Sequence, residues 1–247
     1  MAKTVGELMV TALADYGVKN IWGVVGDALN PITDAIRRDE RLNWIGVRHE
    51  EAGAFAASAE AQLTGKLGVV MGTVGPGAIH LLNGLYDAKK SGAPVLAIIG
   101  QVPSAEIGTD FFQEVNNNRL FDDVSVFTAT MNTPEQMPHL FEHAVNTAIA
   151  KNGVAVLSVP ADIGGQDVPK GSRVPQFAPE PGDIVPSQEC LSDAVSVLAE
   201  SKNTALLVGR GAQTAREEVL ELAGVLKSPM VLTLSLIHIS EPTRRTP

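Results

Sequence analysis

The sequence predicts an α/β protein built on a parallel sheet with helices on both faces. Three observations predict it. Short runs rich in Val and Ile alternate with segments of helical period, the pattern of strands joined by helical crossovers. Hydrophobic residues make up 45% of the 247 but aromatics only 4%, so Val, Ile, Leu and Ala must build the core. Finally, three consecutive expected strands each run into a short polar or Gly-bearing loop, at the end of the sheet where open α/β folds bind ligands.

Thr4, with Glu7 three residues on, makes a capping-box pattern. Val5, Leu8, Met9, Ala12 and Leu13 then share one helical face, which Gly17 closes. Residues 20–25 read as a buried strand, Gly26 and Asp27 as a turn, and residues 32–38 as a helix. Trp44, Ile45, Gly46 and Val47 repeat the unit as a second strand, with an Ala-rich helix running to about Gly65. Residues 67–71 are a third strand, followed by a Gly-rich turn and a helix through Ala88; residues 94–100 are a fourth. Residues 101–123 are irregular and rich in Asn and Asp, and a loop of that length in a compact domain is usually either functional or a sign of a missed element. A strand over 124–127, a helix over 134–150 and a strand over 154–160 complete a first domain, expected at 1–165.

Residues 166–186 hold many of the Pro and Gly residues and no periodicity, which is linker chemistry. A second domain is expected over 187–233. Leu191, Ala194, Val195 and Leu198 form one helical face, residues 205–208 a strand, residues 217–227 a helix, and Pro229 opens another strand. Two strands and two helices cannot cover both faces of an open sheet, so this is expected to be an incomplete Rossmann-like domain. Residues 234–247 are expected to carry no selected sequence: Leu234 to Arg244 reads as an in-frame translation of a transposase-based sequencing adapter. His238 and Glu241 therefore receive no role.

A net charge of −9 with no Lys/Arg stripe argues against a nucleic-acid surface. The single cysteine, Cys190, rules out an internal disulfide framework and fits a reducing cytoplasm. No apolar run approaches the roughly 20 residues of a membrane span. A cytoplasmic protein is expected, with any peripheral membrane contact made through regions outside this chain.

Glu50 marks the candidate site. A carboxylate in a first helical turn complements the macrodipole by about 0.3–1 kcal/mol and needs no further role. Its position is what singles it out, after the second strand and between Gly26-Asp27 after the first and Gly75-Pro76-Gly77 after the third. Short Gly loops let a ligand reach backbone atoms. Residues 72–77 lack the G-x-G-x-x-G spacing of a dinucleotide site. His49 and His80 are read as structural side chains, and no metal-ligand set is expected.

Together, Trp22-Gly23-Val24-Val25-Gly26-Asp27, Arg48-His49-Glu50-Glu51-Ala52, Gly75-Pro76-Gly77 with Asn83-Gly84-Leu85, and Phe112-Gln113-Glu114 resemble the pyrimidine-binding domain of thiamine-diphosphate enzymes. The group is that of pyruvate oxidase and acetolactate synthase, and the likeness runs from about Thr4 to Thr233. It is strongest to bacterial pyruvate dehydrogenases that pass electrons through FAD to quinone.

The resemblance implies that Glu50 hydrogen-bonds N1′ of the aminopyrimidine and promotes the tautomer that deprotonates thiazolium C2. It implies that Gly26, Asp27, Gly75, Pro76, Gly77 and Asn83 surround the cofactor, and that Phe112 and Gln113 line the reaction space. Gly209, Arg210 and Gly211 correspond to the point where flavin-using relatives hold the ADP part of FAD. Mg²⁺ would be held by a Gly-Asp-Gly motif followed by Asn residues, which nothing here matches, so it is expected through a domain outside this chain. The implied assembly is a dimer of dimers, with the cofactor between domains of two subunits and a small 2-oxo acid, pyruvate, as substrate. This chain would then be inactive alone. Acetolactate synthase and a 2-oxo acid decarboxylase are the alternatives within the family; a non-catalytic α/β binding module is the alternative outside it.

Overall fold

The computed structural model of the chain describes residues 3–178 and 185–233. They fall into two compact units, Met1–Gly182 and Asp183–Pro247. The adapter-like tail lies outside the described residues.

In the first unit, six strands form one parallel sheet: β1 (Asn20–Gly23), β2 (Asn43–Gly46), β3 (Gly68–Gly72), β4 (Val95–Gln101), β5 (Phe127–Thr130) and β6 (Val154–Pro160). Their spatial order is β2-β1-β3-β4-β6-β5. The helices are α1 (Val5–Tyr16), α2 (Asn30–Arg38), α3 (Glu50–Thr64), the short α4 (Pro76–Ile79), α5 (Leu82–Ser91), the short α6 (Asn117–Leu120) and α7 (Met137–Lys151). The expected capping box opens α1, with Thr4 Oγ1 accepting from Glu7 N at 3.2 Å and Glu7 Oε2 accepting from Thr4 N at 3.0 Å. Gly17 closes it at φ 100°, a left-handed conformation that costs an L side chain and not a glycine.

The strands sort their side chains by parity. Val69 and Met71, Leu96 and Ile98, and Ala155, Leu157 and Val159 join one buried cluster with residues of α1, α2 and α7. Val70, Val95, Ala97 and Ile99, and Val154 and Val156 point the other way, against Ala54, Ala57 and Ala61 of α3 and Leu85 and Ala88 of α5. Alternation with a period of two, both halves buried, is what a sheet covered on both faces requires. After β1 the chain crosses to β2 on one side; β3 then lies on the other side of β1, with β4 beyond it. Neighbouring strands whose connections leave in opposite directions open a crevice at their carboxyl ends.

Two expected elements differ in detail. The expected continuous helix after β3 is two pieces, α4 and α5, separated at His80 and Leu81. The expected strand at 124–127 is instead β5, displaced toward Thr130, because Val124 is buried in the α3/α5 cluster and the half-exposed Phe127-Thr128-Ala129-Thr130 pairs with Ala155 to Ser158.

The described part of the stretch read as linker, through Ala178, is held by the first unit. Val5 N donates to Gln166 O at 2.9 Å and Val168 N to Lys3 O at 3.0 Å. Phe177 meets Tyr16 and Phe141 edge-on at 5.5 and 5.6 Å. Glu142 on α7 binds the Arg173 guanidinium with both oxygens and accepts from Gln176 N at 3.0 Å. The Arg173 guanidinium and that N–H pull the Glu142 carboxyl down to about 2, from an ordinary 4.5. A depressed carboxyl stabilises the fold above its unfolded value and loses that contribution as pH falls through the folded value. With Arg173 half-exposed, solvent limits the contribution to about 1 kcal/mol. Glu142→Gln is therefore expected to be about 1 kcal/mol less stable than the parent at pH 7, the gap closing between pH 4.5 and 2. Urea unfolding across that range checks it, and a gap that persists at pH 2 contradicts it.

The second unit holds α8 (Gln188–Glu200), β7 (Leu206–Val208), α9 (Arg216–Leu226) and β8 (Met230–Leu232). Its two strands pair in parallel, Leu206 against Met230 and Val208 against Leu232. Leu207, Val225 and Val231 are 74%, 74% and 56% exposed, so much of this unit's apolar surface is uncovered within it.

Candidate functional site

The carboxyl ends of β1, β2 and β3 bring the expected residues into one crevice. Glu50 is the first residue of α3, and His49 caps the helix, its Nδ1 accepting from Glu51 N at 3.3 Å. Glu50 is buried, 8% exposed. His80, at the end of α4, lies with Nδ1 3.0 Å from Glu50 Oε2. The His49 ring stacks on His80 at 4.4 Å between centroids. Asn83 donates from Nδ2 to Glu51 Oε1, tying the first turn of α3 to α5.

Around this carboxyl group the backbone comes too close for side chains. A Cβ on Gly77 would stand 3.2 Å from Glu50 Oε1 and 2.7 Å from Thr73 Cγ2. One on Gly26 would meet Thr73 Oγ1 at 2.4 Å. Gly75 sits at φ 63°, where a Cβ would also meet Gln113 O at 2.8 Å, so the loop carrying Phe112 and Gln113 abuts the Gly75 turn. Space therefore demands glycine at Gly26 and Gly77, and at Gly75 the backbone conformation demands it as well. Among the described residues Glu50 Oε1 has no hydrogen-bond partner, and the buried Thr73 Oγ1 has none either. Buried polar atoms are nearly always paired, so an unpaired hydroxyl facing a glycine-lined crevice marks a place for another group.

Of the other expected residues, Asp27 is exposed, its Oδ1 accepting from Ala28 N at 2.9 Å. Pro76 opens α4, and Phe112 is 81% exposed. Gly209, Arg210 and Gly211 belong to the second unit, where a 3₁₀ turn, Arg210–Ala212, follows β7. A Cβ on Gly209 would come no nearer than 3.7 Å to anything, and one on Gly211 would meet nothing within 4 Å. Packing within this unit therefore makes no demand for glycine at either position.

Thr73 and the pairing of His80 with Glu50 were not among the expected site features. Thr73 sits inside a Gly-rich turn and offers no spacing signal; His80 follows the Gly-Pro-Gly turn closely enough that its neighbourhood could have flagged it. Two imidazole arrangements also go beyond the expectation of no metal-ligand set. His49, Glu50 and His80 place a donor atom each within 4.8 Å of one another. On α7, His139 and His143 stand four residues apart on the exposed face, a spacing that lets two imidazoles share an ion.

A doubly covered parallel sheet with a buried carboxyl group and bare glycine backbone at its switch point defines a cofactor-binding α/β domain. Residues 3–120 match the family "Thiamine pyrophosphate enzyme, N-terminal TPP binding domain", and the chain belongs to that family. It is 42% identical over 233 residues to a Bacillus subtilis protein, YdaP, provisionally named as thiamine pyrophosphate-containing; the alignment covers 94% of this chain and 41% of the relative. It is 36% identical over 236 residues to pyruvate oxidase of Lactiplantibacillus plantarum, covering 92% and 38%. It is 31% identical over 238 residues to acetolactate synthase of Mycobacterium bovis, covering 94% and 38%. The chain thus spans about two fifths of the length of these relatives.

Proposed function

We propose that this chain supplies the pyrimidine-binding half of a thiamine-diphosphate-dependent enzyme that oxidatively decarboxylates pyruvate and passes the electrons through FAD to a quinone. The observation that carries the cofactor reading is Glu50: a buried carboxyl group at a strand end, one oxygen held by His80 and the other unpaired beside the Cα of Gly77. The donor set fits an aminopyrimidine, which needs a carboxyl oxygen at a ring nitrogen, flat backbone to lie against, and a polar partner such as Thr73 Oγ1. Gly26, Gly75 and Gly77 provide the bare backbone. Bound there, thiamine diphosphate supplies the electron sink for loss of carbon dioxide from a 2-oxo acid.

The chain's own residues do the holding and the proton work. Glu50 exchanges a proton at N1′, which requires a carboxyl group within hydrogen-bond reach of that nitrogen. His80 fixes the second carboxyl oxygen, so that one oxygen faces the ring. Asn83 steadies the first turn of α3 through Glu51, and the Phe112–Gln113 loop against Gly75 walls off one side of the crevice. Mg²⁺ and the diphosphate are assigned to a domain outside this chain, and the working assembly to a homo-oligomer. The choice of FAD and quinone rests on the resemblance alone, and the pyruvate oxidase relative supports the oxidation of pyruvate. Acetolactate formation is the second reading, favoured by the acetolactate synthase relatives at 31–35% identity.

Resequencing the gene from its source DNA is the first step. It is expected to replace the codons for residues 234–247 with a continuing strand and further domains. The complete protein, given thiamine diphosphate, Mg²⁺ and FAD, is expected to reduce a soluble quinone analogue in step with carbon dioxide release from pyruvate. Condensation of two pyruvates without quinone reduction would assign it to acetolactate synthesis. If the adapter-like codons persist in the source DNA and the chain as given is stably produced, the binding-module reading takes over.

A further inference from the structure

We infer that His49, Glu50 and His80 form a binding site for a divalent transition-metal ion of the zinc class. The three donor atoms lie within 4.8 Å of one another, with His80 Nδ1 and Glu50 Oε2 already 3.0 Å apart. Donors around a tetrahedral ion with bonds of about 2.1 Å stand about 3.4 Å apart, so the set closes with a small movement of the exposed His49. Two imidazoles and one carboxylate are donors for zinc, cobalt or nickel; Mg²⁺ and Ca²⁺ favour all-oxygen sites. Three protein ligands leave a fourth position open to water or another ligand.

The electrostatics favour a cation despite the helix end. The N-terminus of α3 carries roughly half a positive charge. Against it stand two adjacent carboxylates, Glu50 and Glu51, both in the first turn. Proton positions also permit the ion. His80 can carry its proton on Nε2 and offer Nδ1 beside Glu50 Oε2. His49 gives up the 3.3 Å bond from Glu51 N in exchange for the ion, whichever ring nitrogen it uses, because a metal-bound neutral imidazole cannot accept a hydrogen bond at its other nitrogen. The buried carboxyl, the stacked rings and the tie from Asn83 to Glu51 hold the donors before the ion arrives.

The binding stands on this geometry alone. Its consequence rests on the proposed role of Glu50: an ion at Oε2 competes with an aminopyrimidine for the same carboxyl group. A zinc-class ion would then act as an inhibitor competitive with thiamine diphosphate.

Cobalt(II) is the probe, because its visible spectrum reports ligand number and geometry. The 247-residue chain with His139→Gln is used, which breaks the α7 imidazole pair at an exposed position while leaving His143 on Phe127. One equivalent of Co²⁺ is expected to give an intense low-coordinate band, displaced by Zn²⁺ and unaffected by excess Mg²⁺. Adding His80→Gln or Glu50→Gln, with unchanged circular dichroism, is expected to weaken binding by about 100-fold or more, since even supporting residues of a metal site are worth 10–100-fold. If His80→Gln alters the dichroism, His49→Gln on the exposed side serves instead. A spectrum of hydrated Co²⁺ only, or a band that survives loss of His80 or His49, overturns the site. Either result leaves the thiamine diphosphate reading to its own test with the complete protein.

Discussion

Glu50→Gln in the complete protein is expected to lower 2-oxo acid turnover by about 10²–10⁴-fold while leaving the fold in place, the range typical for losing a positioned general acid–base. The amide matches the carboxyl in shape and can still accept from His80 Nδ1, which lies 3.0 Å from Oε2. What it cannot do is exchange a proton at a ring nitrogen. Because Glu50 is buried and its second oxygen has no partner among the described residues, the substitution also removes a desolvated charge and should not cost stability. Turnover of pyruvate and thermal melting, measured on the same preparation, separate the two effects. Near wild-type turnover would end the assignment of Glu50 to proton transfer. A collapsed melting temperature would mean that the carboxylate is structural.

Gly84→Ala is expected to do the reverse, breaking the packing that holds α3 where Glu50 needs it. A Cβ on Gly84 would lie 2.5 Å from Ala54 Cβ and 2.6 Å from Phe55 N. Both obstacles are on α3, and one is backbone, so neither can turn aside. Overpacking typically costs 1–3 kcal/mol, and a backbone obstacle places this case near the upper end, about 3 kcal/mol. Alanine recovers about 1 kcal/mol of helix propensity, leaving a net loss of about 2 kcal/mol. For a unit of this size that is a fall in Tm of about 4–8 °C. Calorimetry on the chain checks it. An unchanged or higher Tm would show that α3 and α5 can separate at no cost, and the close packing of this pair would lose its explanation.

The sheet was legible because its strands are short, apolar and β-branched between segments of helical period. Residues 154–160 read as a strand with the bounds of β6, since nothing polar interrupts Val154 to Leu157 and Pro160 ends the run. β5 lies three residues beyond its expected start for the opposite reason. Its Thr128 and Thr130 dilute the pattern at the sheet edge, while Val124, apolar and adjacent, belongs to the core beneath a loop. The break between α4 and α5 left no mark, because residues on both sides, Ala78, Leu81 and Leu85, are buried as in one continuous helix.

At the site, Glu50 and the Gly turns could be read from their places after successive strands. His80 could be placed near the Gly-Pro-Gly turn, but its contact with Glu50 could not be read, since it joins residues 30 apart that only the fold brings together. Thr73 was invisible for a related reason: its hydroxyl matters through the lack of a partner, and a sequence does not display unpaired atoms.

The close fit at Gly26, Gly72, Gly77 and Gly84 also predicts how this domain would age if a lineage stopped using it. At Gly72 a Cβ would stand 2.3 Å from Gly77 O, and at Gly26, Gly84 and Gly77 it would meet a neighbour at 2.3, 2.5 and 2.7 Å. Any replacement there is felt by the fold at once, whatever the protein is for. On its proposed role Glu50 has no such protection, because its exchange for Gln would disturb chemistry before architecture. A silent descendant would therefore lose its acid early and keep its glycines late. In a newly found relative, intact glycines would testify to a shape still in use, and only the carboxylate to a reaction.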